Sequence, residues 1–166
     1  WINSSITKAS LAPPSTNSVI SSQLSVLRFM FVSYQSISYS LYMIKDVTDL
    51  EVYTLSLELL EDVYKLANLL PQRHRRLKYQ VTDTAEKIAP QIAEGFGKKR
   101  SPKEFCRFLS MALGSSDEVI THVREIKIVA KTYTRIRIED CDRLIERYKI
   151  LSKKLNRLLS IWQKFD

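Results

Sequence analysis

Two runs of cations are the residues of this chain whose types and spacing could do chemistry. Arg73, His74, Arg75, Arg76 and Lys78 form the first, and Lys98, Lys99, Arg100, Lys103 and Arg107 the second. The chemistry is charge neutralisation, since closely spaced guanidinium and ammonium groups hold phosphates without reading bases. Catalytic chemistry finds less support. His74 and His122 are read without ligand partners at i+3 or i+4, and neither Cys106 nor Cys141 has a second cysteine nearby. Glu94 and Glu118 are not in a Glu-x-x-His arrangement, so no zinc or di-iron pattern is expected. Gly95 and Gly97 make no phosphate loop, because no strand is expected before them and no Lys-Ser/Thr ending follows. The residues therefore point to no enzyme, no metal and no cofactor. The two cysteines read as small apolar residues of a reducing compartment, taken as the cytoplasm.

The charges are unevenly spread. The chain has 166 residues, with 26 Lys+Arg against 18 Asp+Glu and a formal charge of +8. That length points to one domain. Residues 1–42 hold only Lys8 and Arg28 and no acid, leaving 24 of the 26 basic and all 18 acidic side chains to positions 43–166. The first stretch is serine-rich, and its longest apolar run, residues 26–32, is interrupted by Arg28. A bilayer span needs about 20 apolar residues, so no membrane partner is expected. The ordered basic, apolar and small-residue regions of a signal peptide are also missing. Residues 1–42 are read as a poorly ordered leader lying outside the native reading-frame start, with weak strands near residues 32–42 as the alternative. Residues 43–166 are read as the functional domain.

Four periodic segments must position the cations. Leu50, Tyr53, Leu57, Leu60, Tyr64 and Ala67 step by three and four as the seam of a first helix, with Val52, Leu59, Val63, Leu66 and Leu70 as a second stripe. This wide apolar arc calls for more than one neighbour, and Pro71 ends the helix. A second helix carries Leu77, Val81, Ala85, Ile88, Ile92 and Phe96 on one face. Pro90 within it predicts a kink around residues 86–90, and Gly95 and Gly97 predict a left-handed close. Ser101, Pro102 and Glu104 read as N-cap, first helical position and capping box of a third helix. Its seam, Phe105, Leu109, Ala112, Ser116, Val119, Val123, Ile126 and Ala130, runs without a fault. The small residues Ala112, Gly114, Ser115 and Ser116 predict close approach of another backbone. After a basic connection at residues 135–138, Cys141, Leu144, Tyr148, Leu151, Leu155, Leu158 and Trp162 give the seam of a fourth. The expected architecture is all-α, an antiparallel up-down-up-down four-helix bundle.

Residues 88–115 carry a resemblance. Pro90, Ile92, Ala93, Glu94, Gly95 and Gly97, a basic turn, and then Glu104, Phe105, Phe108, Leu109, Gly114 and Ser115 resemble the motif of a bacterial family known as four-helix bundle proteins. That family is related to proteins encoded by intervening sequences inside large-subunit ribosomal RNA genes. The similarity spans residues 43–166, with Gln91 standing where the family usually has asparagine. The resemblance implies a left-handed bundle assembling into a ring, typically a homopentamer, without known catalytic activity. It also implies a link to ribosomal RNA by gene location, and distant relatives are RNA-binding accessory subunits of reverse transcriptases.

In an up-down bundle the two cationic runs lie at opposite ends, roughly 30–40 Å apart at 1.5 Å per helical residue. In a ring each would repeat around a rim, which fits RNA or another polyanion. Arg143, Arg147, Lys149, Lys153, Lys154, Arg157 and Lys164 fall mostly opposite the fourth seam and read as a solvated outer face. Glu94 is expected to accept from the next helix, from Arg100, or from a neighbouring subunit. The expected partners are therefore other copies of the chain and RNA, with another protein, docked on the first helix, as the alternative.

Overall fold

The computed structural model describes residues 44–165, so the expectations for residues 1–42 lie outside the described residues. Among these residues there are four long helices and no strand: α1 (Glu51–Ala67), α2 (Arg75–Gly97), α3 (Pro102–Ala130) and α4 (Ile138–Trp162). Single 3₁₀ turns, Val47–Asp49, Gln72–His74 and Gln163–Phe165, precede α1, precede α2 and follow α4.

Local chemistry sets the boundaries. The Asp46 carboxylate accepts from the Thr48 amide at 2.9 Å, and Asp49 accepts from the Asp46 amide at 3.0 Å, a reciprocal cap on the first turn. Pro71 holds extended backbone and separates α1 from the turn before α2. Ser101 caps α3, its hydroxyl accepting from the Glu104 amide at 3.4 Å, with Pro102 in the first turn. Glu104 does not complete a box, because the Ser101 amide is already given to the Lys98 carbonyl at 2.9 Å. Its carboxylate takes Arg107 instead, at 3.0 Å. Glu139 and Asp140 occupy the first turn of α4, where the helix dipole favours anions.

Each helix packs on two others: α1 on α2 and α4, and α3 on α2 and α4, the interfaces of α3 being the more extensive. Leu59, Val63, Val81, Ile88, Ile92, Phe105, Leu109, Val119, Ile126, Tyr148, Leu151 and Leu155 are almost wholly buried between them. The α3 seam lies inward from Phe105 to Ala130, and the α4 seam from Cys141 to Leu155, with Leu159 rather than Leu158 buried at its end. Trp162 stacks edge-on against Phe105, ring centroids 4.7 Å apart.

Three local expectations change. On α1 the buried stripe is Val52, Leu59, Val63 and Leu66, while Leu57 and Tyr64 of the expected seam are 44% and 41% exposed. The seam loses because α1 has neighbours on one side only. Inside α2, Pro90 is exposed like Glu86, whose carbonyl can turn to water where the proline supplies no donor, and the helix continues beyond it. No glycine among the described residues has positive φ, so Gly95 and Gly97 are helical rather than left-handed. Gly95 is needed for space: a Cβ there would stand 2.7 Å from the Phe108 Cβ and 3.0 Å from Phe105 Cδ2. Gly114 is the reverse, with nothing within 4 Å of its Cβ position, so no backbone approaches it.

Candidate nucleic-acid interface

The first cationic run is divided between the turn Gln72–His74 and the start of α2. The Arg73 guanidinium lies over the Tyr133 ring, 4.8 Å from its centroid, and His74 meets the same ring edge-on at 5.9 Å. Tyr133 belongs to the connection between α3 and α4. The structure thus brings that connection, with Lys131 and Arg135, to the same end of the molecule as Arg73. Lys78 is used structurally, its ammonium donating to Asn68 Oδ1 at 2.8 Å. Arg75, Arg76, Lys131 and Arg135 are exposed, and among the described residues none has a carboxylate within 4.0 Å. Arg137 reaches Glu139 and Asp140 only at 3.9 and 4.0 Å.

Two features of this end have no folding use. The first turn of α2 holds Arg75 and Arg76 with no acid and no side-chain cap, although cations at a helix N-terminus oppose the helix dipole. Tyr79 is 69% exposed, three and four residues beyond Arg76 and Arg75 and so on their helix face.

The second run is handled differently. Lys98 pairs with Glu94 at 2.8 Å and lies 4.4 Å from the Phe108 ring centroid. Arg107 pairs with Glu104 and covers the same ring at 4.4 Å, and Lys99 sits 3.8 Å from the Phe96 centroid. The Arg107 hydrogen bond holds the Glu104 carboxyl below its usual range. Asp46, lowered chiefly by its hydrogen bonds from Thr48, also feels the charge of Lys99. Arg100 and Lys103 remain without an ion pair among the described residues. Acids are thus interleaved with this cluster, and α2, with 23 residues, separates it from the first by about 33 Å.

The motif residues are mostly packing. Ile92, Gly95, Phe105, Phe108 and Leu109 are buried where α2 meets α3, with Ala93 half-buried beside them. Pro90 and Gly97 are exposed, as is Gly114. Glu94 takes Lys98 rather than Arg100. Gln91 still reaches Ser115, whose hydroxyl donates to its Oε1 at 3.1 Å. Much of the cationic face of α4 is paired: Arg147 with Asp62 and Glu58 of α1, Lys154 with Glu51, Lys149 with Glu146 and Arg143 with Asp140.

One residue was misjudged from spacing. His122 does have neighbours, Glu125 at 3.3 Å from Nδ1 and Glu118 at 3.5 Å from Nε2. Both lie on its own helix, and among the described residues no group of three or more His, Cys, Asp or Glu side chains could hold a metal. Tyr79 and the Tyr133 connection were missed as site residues. Both were recoverable, the first from its i+3 and i+4 spacing to two arginines and the second because alternate turns of an up-down bundle share an end.

A family model described as 23S rRNA-intervening sequence protein matches residues 48–157, well over half of the chain and inclusive of both cationic runs. No curated protein matches the chain.

Proposed function

The chain belongs to the 23S rRNA-intervening sequence protein family, and from that premise we propose that it is a non-enzymatic, oligomeric protein that associates with RNA through its basic turns. The observation that carries the reading is the set of exposed cations, Arg75, Arg76, Lys131 and Arg135, that have no carboxylate within 4.0 Å among the described residues. Unpaired cations retain their full attraction for a phosphate backbone, whereas paired ones must first give up a partner.

The assembly we propose is an antiparallel, left-handed up-down-up-down bundle built into a homopentameric ring. Cross-helix pairs support the antiparallel part, because along each interface the numbers rise on one helix as they fall on the other: Asn68 with Lys78 and Tyr64 with Glu86, Asp117 with Ser152 and Lys127 with Asp142, and Glu51 with Lys154 and Glu58 with Arg147. The reading places the protein in the bacterial cytoplasm without cofactor or metal. No described helix is long and apolar enough to cross a membrane.

Retention of the full chain on immobilised RNA tests the function. It is expected to fall steeply with salt and to weaken when Arg73, Arg75 and Arg76 are changed to glutamine. No measurable affinity at low salt with an intact oligomer removes the RNA reading. Light scattering is expected to give a multiple of the 19.3 kDa chain mass, and a 19.3 kDa species at micromolar concentration removes the ring. A second reading, a protein-binding scaffold, is favoured by one observation, the exposure of Leu57 and Tyr64 on α1.

A further inference from the structure

The two cationic ends are not equivalent. At one, Lys98 and Arg107 are held by Glu94 and Glu104 and folded onto Phe108. At the other, Arg73 lies over the Tyr133 ring, Arg75 and Arg76 stand against the dipole of α2, and Arg135 is exposed in the adjoining connection with no acid within 4.0 Å among the described residues. Beside the two α2 arginines, Tyr79 presents an aromatic ring to solvent. A largely exposed ring one helical turn from two arginines that have no carboxylate within 4.0 Å among the described residues matches one chemistry well. Cations neutralise successive phosphates while an aromatic face stacks on an unpaired base.

Resting on the RNA reading above, we infer that the RNA lies at the end carrying Arg73, Tyr79 and Arg135 and not at the end carrying Lys98 and Arg107. We infer further that the RNA is single-stranded and that Tyr79 is the residue on which a base stacks. An A-form duplex offers phosphates and 2′-hydroxyls but keeps its base faces inside the stack, so it has nothing to place on Tyr79. A single strand has both. The guanidinium of Arg73, held over Tyr133, adds a second planar group at the same end of the bundle.

Fluorescence anisotropy of the full chain tests this, with a labelled 12-nucleotide RNA that cannot pair with itself, the same RNA annealed to its complement, and poly-glutamate as competitor. The single strand is expected to bind more tightly than the duplex and to resist poly-glutamate. Tyr79→Ala is expected to weaken single-strand binding about tenfold, and Tyr79→Phe to restore it. Arg75→Gln with Arg76→Gln is expected to lower the salt slope by about one to two units. Changing Lys98, Lys99 and Arg100 together to glutamine is expected to leave affinity within about twofold. Helicity by circular dichroism and mass by light scattering accompany each variant. The proposal is overturned if Tyr79→Ala binds like wild type or alters the oligomer mass, if the duplex binds as well, or if poly-glutamate competes as well as RNA. Loss of binding only in the Lys98 variant overturns the location and leaves the RNA reading standing. A wild-type chain that binds no RNA removes that reading and the proposal with it.

Discussion

Gly95 and Gly114 are both helical glycines, and their surroundings give them opposite consequences. Alanine at Gly114 meets open space, so Gly114→Ala is expected to raise stability by about 1 kcal/mol through helix propensity. Alanine at Gly95 meets the Phe108 Cβ, which is fixed to the α3 backbone and cannot swing aside. Gly95→Ala is therefore expected to cost about 1–3 kcal/mol despite the same propensity gain. Urea unfolding of both variants checks the pair, and a stabilised Gly95→Ala would show that α2 and α3 do not meet there. Cys141 offers a second test. Burial, with help from Asp142 and Asp140, pushes its thiol up to about 11 from the ordinary 9.0. Below about pH 9 the thiol is protonated in both states, and between about 9 and 11 only the unfolded chain loses the proton, so stability falls over that window. The stability difference between wild type and Cys141→Ala is expected to shrink as pH rises through it. A difference constant from pH 8 to 11 would mean that the thiol is not held in a dry core.

Among the helices, α3 was the most legible. Its cap, its first-turn proline and its unbroken seam are all local signals, and Ser101, Phe105 and Val119 stand where they indicate. Ser101→Ala is expected to cost about 0.5–1 kcal/mol by thermal or urea unfolding. Glu104→Gln is expected to cost less than that, because Glu104 holds Arg107 rather than returning to the cap. Equal losses would place Glu104 in the cap after all. On α1 two apolar stripes compete, and periodicity cannot rank them. Val52, Leu59 and Val63 are buried because α2 and α4 lie on that side, and Leu57 is left out for want of a third neighbour.

Across the whole molecule, position in the fold sorts the cations. Those of α4 that cross to α1, Arg147 to Asp62 and Glu58 and Lys154 to Glu51, belong to the fold. Arg147→Gln and Lys154→Gln are each expected to cost up to about 1 kcal/mol in unfolding while leaving RNA affinity within about twofold. An affinity loss like that expected at Arg75 and Arg76 would extend the RNA surface onto α4. Arg75, Arg76, Lys131 and Arg135 have no carboxylate within 4.0 Å among the described residues, and Arg73 on Tyr133 joins two segments sixty residues apart in sequence. That juxtaposition doubles the basic segments at one end. At the other end Glu94 and Glu104 pair with Lys98 and Arg107.

By itself the sequence determined that residues beyond 43 form four helices, that Pro71 closes the first and Ser101 opens the third, and where the two cationic runs fall. Helical periodicity, proline and serine caps act within a few residues, so they can be read along the chain. The tertiary structure alone decided which stripe of α1 turns inward, which glycine admits a neighbour, and which cations keep their charge free. These depend on atoms from helices distant in sequence: Phe108 beside Gly95, Tyr133 beneath Arg73, Asp62 beside Arg147. Packing and charge pairing act through space, and the order of residues does not by itself specify which ones will be close.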